Sequence, residues 1–306
     1  MSTPILLNAG QSERGWHRLS TALKCPQLFA YLHILGLRFG KRKPLIQGSL
    51  LHIGLAHFYI RLWAIQNNTD PNQWYTPDEA IYLLAQQEDA NPPPGHVVGK
   101  DENWMPYAEQ IQKAVRAYVN YWGDNDAKYY RVVNVEEQVR AMVATGGWSL
   151  DAELLAWLFT QRIDLVLQDL DGYYIEIDHK KCGRFDKRDL RAYFRDGQFQ
   201  GMHTFGRNKW GAKYGGIYIN RVRIPDSGDN FGFQRDPVPV LRWRMDNFPD
   251  TIRWSERVVQ DLEKRGVDPW KWPKVDSGNG GCEHRYGPCE AAELCDHGPS
   301  GLQEVW

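Results

Sequence analysis

Two carboxylates and an amine lie close together in the stretch RIDLVLQDLDGYYIEIDHKK, residues 162–181. Its Val, Ile, Leu and Tyr residues predict two strands joined by a hairpin turn at the Asp-Gly pair. Because side chains alternate along a strand, Asp178 and Lys180 share one face of the second strand while His179 points to the other. Pairing of the two strands about the turn then places Asp164 of the first strand near Asp178.

Two carboxylates with a nearby main-chain carbonyl form an oxygen-rich site of the kind that holds Mg²⁺ or Mn²⁺ and a substrate phosphate. A lysine beside such a metal can orient a water or lower its pKa for in-line attack. The alternative is a solvated ion pair across the strands, which is the commoner origin of an isolated D-x-K. Apolar neighbours indicate a core-like sheet instead, where charges need a metal or a partner. These neighbours are Ile163, Leu165, Val166, Ile175 and Ile177.

The cysteines form a second group with possible chemistry. Three of the five, Cys282, Cys289 and Cys295, lie near the C-terminus. A structural zinc site usually has pairs spaced C-x₂₋₄-C, and the longer gaps here favour an iron–sulfur cluster, although zinc stays open. His284 and His297 are further ligands if the metal is zinc. Cys182 follows the strand lysines and is expected to be an ordinary buried thiol.

The cellular compartment bears on how these thiols are used. The N-terminus has a short apolar run with no positive region before it, so no signal peptide is expected. No segment approaches the ~20 apolar residues of a membrane span. We therefore expect a cytoplasmic protein without membrane contact, in which clustered cysteines more often bind metal than form disulfides.

The elements that must position these residues follow from periodicity and turn signals. The sequence predicts an α/β (α+β) fold with a mixed sheet flanked by helices. Residues 184–195 are part of a longer predicted helix. The predicted helices span 17–37, 48–66, 107–122 and 184–210, and the predicted strands span 130–144, 154–169, 172–181 and 215–224. Pro26 suits a helix start and places Cys25 beside free main-chain donors. Residues 241–306 form a Trp-, Gly- and Pro-rich tail that needs an anchor.

Charge is local rather than global. The net charge is −1, so any contact with nucleic acid must come from basic stretches. Residues 184–195 carry arginines at helical spacing that would form one positive face for phosphates. Trp210, Tyr193 and Phe194 are near enough in sequence to stack on unpaired bases. The expected DNA-contacting residues are Arg184, Arg188, Arg191, Arg195, Arg207, Lys209 and Trp210.

The order of these motifs resembles the PD-(D/E)XK nuclease superfamily in its RecB-like branch. That branch has G-x-x-x-H on a helix, a strand glutamate, GRIDLV, (D/E)xK and a glutamine-containing helix. The corresponding residues here are Gly48 to His52, Glu136, Asp164, Asp178 to Lys180 and Gln198, within about residues 45–220. The resemblance implies a nuclease core at 45–240, preceded by a helical segment at 1–44 and followed by a C-terminal segment at 241–306.

The resemblance also implies roles for single residues. His52, Asp164, Asp178 and the carbonyl of His179 would hold Mg²⁺ or Mn²⁺, and Lys180 would orient the attacking water. Glu136 would complete the site, with Glu137 as its rival because strand register decides which one faces inward. Gln198 would match the glutamine of Q-x-x-x-Y, although Met202 stands in the tyrosine position and Gln200 offers a second register. The plainer alternatives are a core histidine for His52 and a surface carboxylate for Glu136.

Some RecB-like nucleases carry an iron–sulfur cluster, with one cysteine in a Cys-Pro setting before the core and three after it. The resemblance implies that Cys25, Cys282, Cys289 and Cys295 bind a [4Fe–4S] cluster that joins the two ends of the chain. The expected function is a metal-dependent DNA nuclease, preferentially an exonuclease on single strands or free ends, in replication, recombination or repair. The alternatives are a structure-specific endonuclease and a non-catalytic nucleic-acid-binding protein stapled by a cluster or zinc.

Overall fold

The computed structural model describes most of the chain. The described residues are 3–8, 12, 14–39, 43–90, 96–97, 103–144, 147–149, 157–264, 266, 268–274, 283–284, 287–289, 291 and 294–295. None of the helices in these ranges is both long and apolar enough to cross a membrane.

A six-stranded mixed sheet carries the acidic residues, in the order β4-β3-β5-β6-β7-β8. Its strands are β3 (Tyr130–Ala144), β4 (Gly147–Ser149), β5 (Trp157–Asp169), β6 (Tyr174–Cys182), β7 (Tyr214–Arg223) and β8 (Gly232–Val238). Only β6 and β7 are parallel to each other; the other neighbours in this sheet are antiparallel. The strands predicted at 130–144, 172–181 and 215–224 match β3, β6 and β7 closely. For the strand predicted at 154–169, residues 154–156 lie outside the described ranges.

The helices of the described part of the chain surround this sheet. They are α1 (Trp16–Lys24), α2 (Pro26–Phe29), α3 (Lys43–Gln66), α4 (Pro77–Ala90), α5 (Met105–Tyr129), α6 (Lys187–Tyr193), α7 (Gly197–Trp210) and α8 (Arg242–Lys264). A π-helical turn spans Ala30–Ile34, and single 3₁₀ turns span Pro71–Gln73, Gly211–Lys213 and Pro269–Lys271. Two short pairs of strands complete the structure: β1 (Arg38–Phe39) with β2 (His96–Val97), and β9 (Glu283–His284) with β10 (Gly287–Pro288). The predicted α/β class with a mixed sheet flanked by helices is confirmed.

The two faces of the sheet are covered by different helices. Parallel strands cannot be joined by a tight turn, so the chain crosses from β6 to β7 through α6 and α7. Met202 and Phe199 of α7 pack against Ile217 and Val166 on one face. On the other face, α3, α4 and α5 enclose the larger core, in which Leu165 of β5 is fully buried. The acidic residues therefore lie between two helical layers.

The N-terminal helix predicted over 17–37 is interrupted at Cys25. Pro26 has no N–H and disfavours helical geometry in the residue before it, so α1 ends and α2 begins there. The Cys25 thiol caps α2 by accepting a hydrogen bond from the amide of Leu28 at 3.5 Å. This confirms the expected position of Cys25 at a helix start.

The helix predicted over 184–210 was wrong as a single element. The structure has two helices, and each begins at an aspartate whose carboxylate accepts a main-chain N–H two residues on. Asp186 accepts from Arg188 at 2.7 Å, and Asp196 accepts from Gln198 at 2.8 Å. Aspartate is a strong N-cap, so the second cap restarts the helix in a new direction. Arg184 precedes α6, so the expected single arginine face does not form.

The C-terminal region is more regular than its composition suggested. The segment 241–306, predicted as a tail that needs an anchor, includes α8, which buries Met245, Phe248, Ile252 and Val259 at helical spacing. Phe248 packs on Phe159 of β5 with ring centroids 5.7 Å apart. Helix α8 therefore belongs to the folded core.

Candidate active site

The predicted hairpin between β5 and β6 is confirmed, and it sets the position of Asp164. Gly172 turns the chain with a φ of +82°, and its amide donates to the carbonyl of Asp169 at 3.1 Å. Leu165 pairs with Ile177, so the next residues along each strand, Asp164 and Asp178, lie at the same level of the sheet. The amide of His179 donates to Asp164 Oδ2 at 2.8 Å.

Helix α3 brings His52 to this point. His52 Nδ1 lies 3.2 Å from Asp164 Oδ2. His52, Asp164 and Glu136 each offer one ligand atom. These three atoms lie within 4.8 Å of one another, a spacing that a single metal ion could bridge. Among the described residues the structure therefore brings together three of the groups that the sequence analysis assigned to the metal site.

The strand register separates Glu136 from Glu137. Glu136 has a φ of +53°, unusual for a residue with a Cβ, and its side chain is 7% exposed and 3.8 Å from Arg162 Nη1. Glu137 instead pairs with Lys209 of α7. Glu136 is therefore the glutamate beside Asp164.

Asp178, Lys180 and Gln198 form the other half of the site. Lys180 Nζ lies 2.9 Å from Asp178 Oδ2, and Gln198 Nε2 donates to Asp178 Oδ1 at 2.6 Å. Gln198 is itself held by Gln161, which donates to its carbonyl at 2.8 Å. The side chain of Gln200 donates instead to the main-chain carbonyl of Phe194 at 3.1 Å. Gln198 is therefore the glutamine at the site.

The electrostatics of the cluster fit a cation. Burial and the charge of Asp164 raise the pKa of Glu136 to about 8. Burial likewise raises the pKa of Asp178 to about 6, although Lys180 opposes that change. Burial would lower the pKa of His52, but the Asp164 carboxylate outweighs it and raises the pKa to about 9. Three buried carboxylates with one histidine are oxygen and nitrogen donors suited to Mg²⁺ or Mn²⁺, and a bound ion would keep them ionised.

The side chain of His179 lies on the opposite face, as expected, and belongs to a buried polar network. His179 Nδ1 is 2.7 Å from Asn220 Nδ2, which also donates to the Tyr118 hydroxyl at 3.0 Å. Burial lowers the pKa of His179 to about 3, so its ring is neutral. The main-chain amide that contacts Asp164 is thus backed by a rigid, packed ring.

This network extends to a buried ion pair that the sequence analysis missed. The hydroxyl oxygens of Tyr118 and Tyr59 are 2.8 Å apart, and the Tyr59 hydroxyl donates to Asp126 Oδ2 at 2.6 Å. Arg235 of β8 donates to both carboxylate oxygens of Asp126, at 2.6 and 2.7 Å. No local pattern marks these residues, because they meet only when α3, α5 and β8 pack.

The basic residues have mixed surroundings. Arg188, Arg191, Arg195 and Arg207 are exposed, as is Arg184, which lies 3.3 Å from Asp186. The expectation that Trp210 stacks on bases stays a prediction. Its ring stacks on Tyr174 with centroids 3.8 Å apart, and Lys209 Nζ covers it at 4.4 Å. Tyr193 packs edge-on against Phe199 with ring centroids 6.0 Å apart.

The N- and C-terminal cysteines meet in a small apolar cluster. Cys25 and Cys289 are buried beside Tyr31, and Cys295 packs against them. The four cysteines of the described ranges are thiols rather than disulfides. Cys282 and His297 lie outside the described residues, and of His284 only the main chain is described. Cys182 is separate, at the end of β6, where burial raises the pKa of its thiol to about 11.

A mixed sheet therefore presents Asp164, Asp178 and Lys180 beside His52 of helix α3, and these donors could hold a divalent metal ion. A model of the PD-(D/E)XK nuclease superfamily matches residues 16–202, and the chain belongs to this superfamily. Membership implies metal-dependent hydrolysis of phosphodiester bonds in a nucleic acid.

Comparisons with individual proteins add little to this. The search of curated proteins found no match. A solved structure described as "Crystal structure of SSO0001" is similar over 51% of this chain, with 13% identity and a TM-score of 0.27. The match covers 65% of that structure's chain. A likeness at this score supports no conclusion about fold or function.

Proposed function

We propose that this chain is a Mg²⁺- or Mn²⁺-dependent deoxyribonuclease that prefers single strands or free ends and acts as an exonuclease. The observation that carries the proposal is the convergence of Glu136, Asp164 and Asp178 with His52 and Lys180. Buried carboxylates at such distances repel one another unless a cation or a proton intervenes. The exonuclease preference and a role in replication, recombination or repair rest on the resemblance to RecB-like nucleases.

Each residue has a separate task in the proposed reaction. Asp164, Asp178, His52 and Glu136, with the main chain of His179, would hold the ion, which supplies stabilisation of charge on the phosphate. Lys180 holds and orients the attacking water beside Asp178, and Gln198 fixes the Asp178 carboxylate. In hydrolysis the water oxygen bonds to phosphorus, the bond to the leaving oxygen breaks, and one water proton ends on that oxygen through solvent.

The test is cleavage of a single-stranded oligonucleotide labelled at either end, compared with circular single-stranded DNA. We expect cleavage with Mg²⁺ or Mn²⁺, none in EDTA, and loss of about 10²–10⁴-fold in rate for Asp178→Asn and Lys180→Ala. Asp226→Asn is a matched control, because this carboxylate is exposed and pairs with Lys43 at 3.0 Å rather than with a residue of the proposed site. Cutting of the circle would indicate an endonuclease.

Two outcomes would contradict the nuclease proposal. One is cleavage that persists in EDTA or in Asp178→Asn. The other is a wild-type protein that binds DNA but does not cut it with either metal, which would indicate a non-catalytic binding protein.

We also propose that Cys25, Cys282, Cys289 and Cys295 hold a [4Fe–4S] cluster. The support is the burial of Cys25 and Cys289 in one apolar cluster that Cys295 contacts, although the chain separates Cys25 from the others by more than 250 residues. The Tyr31 hydroxyl donates to the carbonyl of Leu294 at 3.4 Å in the same cluster, and burial raises its pKa.

Metal analysis of protein purified without oxygen tests the cluster. We expect iron, inorganic sulfide and absorbance near ~400 nm in the wild type. Cys25→Ser should lose the iron while keeping a residue that can cap α2, whereas the control Cys182→Ser should retain it. Stoichiometric zinc in a colourless protein would contradict the cluster.

A further inference from the structure

We propose that Trp243, in the first turn of α8, is a stacking platform for an unpaired base of the substrate, with Arg242 and Arg244 contacting the adjoining phosphates. The inference rests on the proposed nuclease function and adds a binding surface to it. It assigns a base-stacking role to a residue outside the family-matched region, whereas the ring of Trp210 already stacks on Tyr174.

The exposure of Trp243 is the first observation. Its side chain is 77% exposed, and no other large apolar side chain in the described ranges exceeds that fraction. The same helix buries Met245 and Phe248 against the core, so its orientation is fixed by packing. A rigid helix therefore holds the indole ring out into solvent.

The position of Trp243 relative to the site is the second observation. Arg244 Nη1 donates to the carbonyl of Arg195 at 3.4 Å. Three residues later Gln198 reaches Asp178, and three residues span no more than about 11 Å of chain. The first turn of α8 therefore contacts the segment that leads into α7, and that helix carries the Gln198 side chain to Asp178.

The charge around the ring is the third observation. Arg242 and Arg244 are exposed on either side of Trp243, and Arg191 and Arg195 are exposed in the segment that Arg244 contacts. Further along the helix the charge is no longer uniformly positive, since Asp246 is exposed and Asp250 pairs with Arg253. Positive charge is therefore concentrated at the turn nearest the site.

Single-stranded nucleic acid is the occupant that fits this chemistry. An exposed indole offers a flat face for a base, and guanidinium groups pair with phosphates. In a duplex the bases are already stacked on one another, so only an unpaired base can use the ring. The surface would therefore favour single strands or frayed ends and guide them toward Asp164 and Asp178.

Helix α8 supplies its own matched control in Trp254. Trp254 is 59% exposed and lies eleven residues after Trp243. Eleven residues are close to three turns, so the two rings lie on nearly the same side of the helix, about 16 Å apart. Trp254 has one adjacent arginine, Arg253, which pairs with Asp250, whereas Trp243 lies between two exposed arginines.

The test is binding of a fluorescein-labelled oligo(dT) of about 15 nucleotides, a length typical of one single-strand site, measured by anisotropy in the cleavage-impaired Asp178→Asn protein. We expect Trp243→Ala to raise the Kd by roughly 5- to 100-fold, the range of one base–aromatic stack. Trp243→Phe should restore most of the affinity, and Trp254→Ala should stay within about twofold of the parent. Binding of a blunt duplex should change less than binding of oligo(dT).

A second measurement does not depend on the folding of a variant. Oligonucleotides containing 5-bromouracil, irradiated on the Asp178→Asn protein, should crosslink to a peptide that contains Trp243. Equal effects of Trp243→Ala and Trp254→Ala, or crosslinks only elsewhere, would overturn the inference. So would a dimer that Trp243→Ala dissociates, because a second copy would then cover the ring. If the wild type neither binds nor cuts nucleic acid, the proposed function itself fails.

Discussion

At the scale of single residues, Glu136 combines two unfavourable features. Its φ of +53° lies in the left-handed region, which costs a residue with a Cβ on the order of 1–3 kcal/mol. Its carboxyl group is also buried beside Asp164, and burial is the main reason that its pKa rises to about 8. A residue kept in such a position despite these costs fits a role in holding the metal.

Replacing Glu136 with glycine tests both the backbone strain at this position and the role of its carboxylate in activity. We expect Glu136→Gly to raise the free energy of unfolding in EDTA by about 1 kcal/mol, because glycine adopts positive φ without strain. Nuclease activity should fall at the same time. Glu137→Gly is the control: it loses the pair with Lys209 and has no such strain to relieve, so unfolding should become easier. Urea unfolding and the oligonucleotide assay measure both, and destabilisation by Glu136→Gly would contradict the prediction.

At the scale of elements, three segments meet behind the site at Asp126. Tyr59 of α3 and Arg235 of β8 both donate to its carboxylate, which lies in α5. Burial would lower the pKa of Arg235, but its hydrogen bonds to Asp126 raise it overall, so the guanidinium stays charged. Through Tyr118 and Asn220, the same network reaches the ring of His179. Its integrity therefore positions the peptide that contacts Asp164.

Removing the charge of Asp126 should be costly. We expect Asp126→Asn to lower the free energy of unfolding by about 3–5 kcal/mol, because it leaves a buried guanidinium without a counter-charge. The exposed pair of Asp226 with Lys43 is the comparison, since Asp226→Asn should leave the free energy of unfolding almost unchanged. Thermal and urea unfolding measure the difference, and similar losses in both variants would show that the buried network contributes little.

At the scale of the whole molecule, one half-buried and one fully buried histidine couple folding to pH. Burial lowers the pKa of His33, in the N-terminal segment, and of His203, in α7, to about 4 each. His203 is fully buried, with Nδ1 3.0 Å from the hydroxyl of Tyr214. Both rings are therefore neutral in the folded protein at neutral pH.

The sign of the pH effect follows from which state binds protons. Between about pH 6.5 and pH 4 the unfolded chain protonates these histidines and the folded chain does not, so stability falls as the pH falls through this window. The fully buried His203 should contribute a loss of roughly 2 kcal/mol at pH 5 relative to pH 8, and the half-buried His33 should contribute less because solvent screens its charge. Urea unfolding gives the free energy of unfolding at each pH in this range. That free energy should depend less steeply on pH in the His33→Gln, His203→Gln protein than in the wild type. Parallel slopes would contradict the assignment.

Local signals in the sequence were sufficient for much of the fold. Apolar residues at helical spacing predicted α3 and α5, and the Asp-Gly turn predicted the β5–β6 hairpin that sets Asp164 near Asp178. Other elements were missed or predicted incorrectly, because the residue composition of their segments obscured where a helix begins and ends. Helix α8 was taken for a tail, and the caps at Asp186 and Asp196 divided one predicted helix into two.

The sequence by itself determined the order of the motifs and the types of residue at the site, because these depend on neighbours along the chain. Tertiary structure decided which of two adjacent candidates faces the site. The positive φ of Glu136 and the cap at Asp196 turn Glu136 and Gln198 inward, and Glu137 and Gln200 away. Tertiary structure also stacked Trp210 on Tyr174 and left Trp243 exposed. Side-chain contacts between distant segments decide these matters, and no local spacing encodes them.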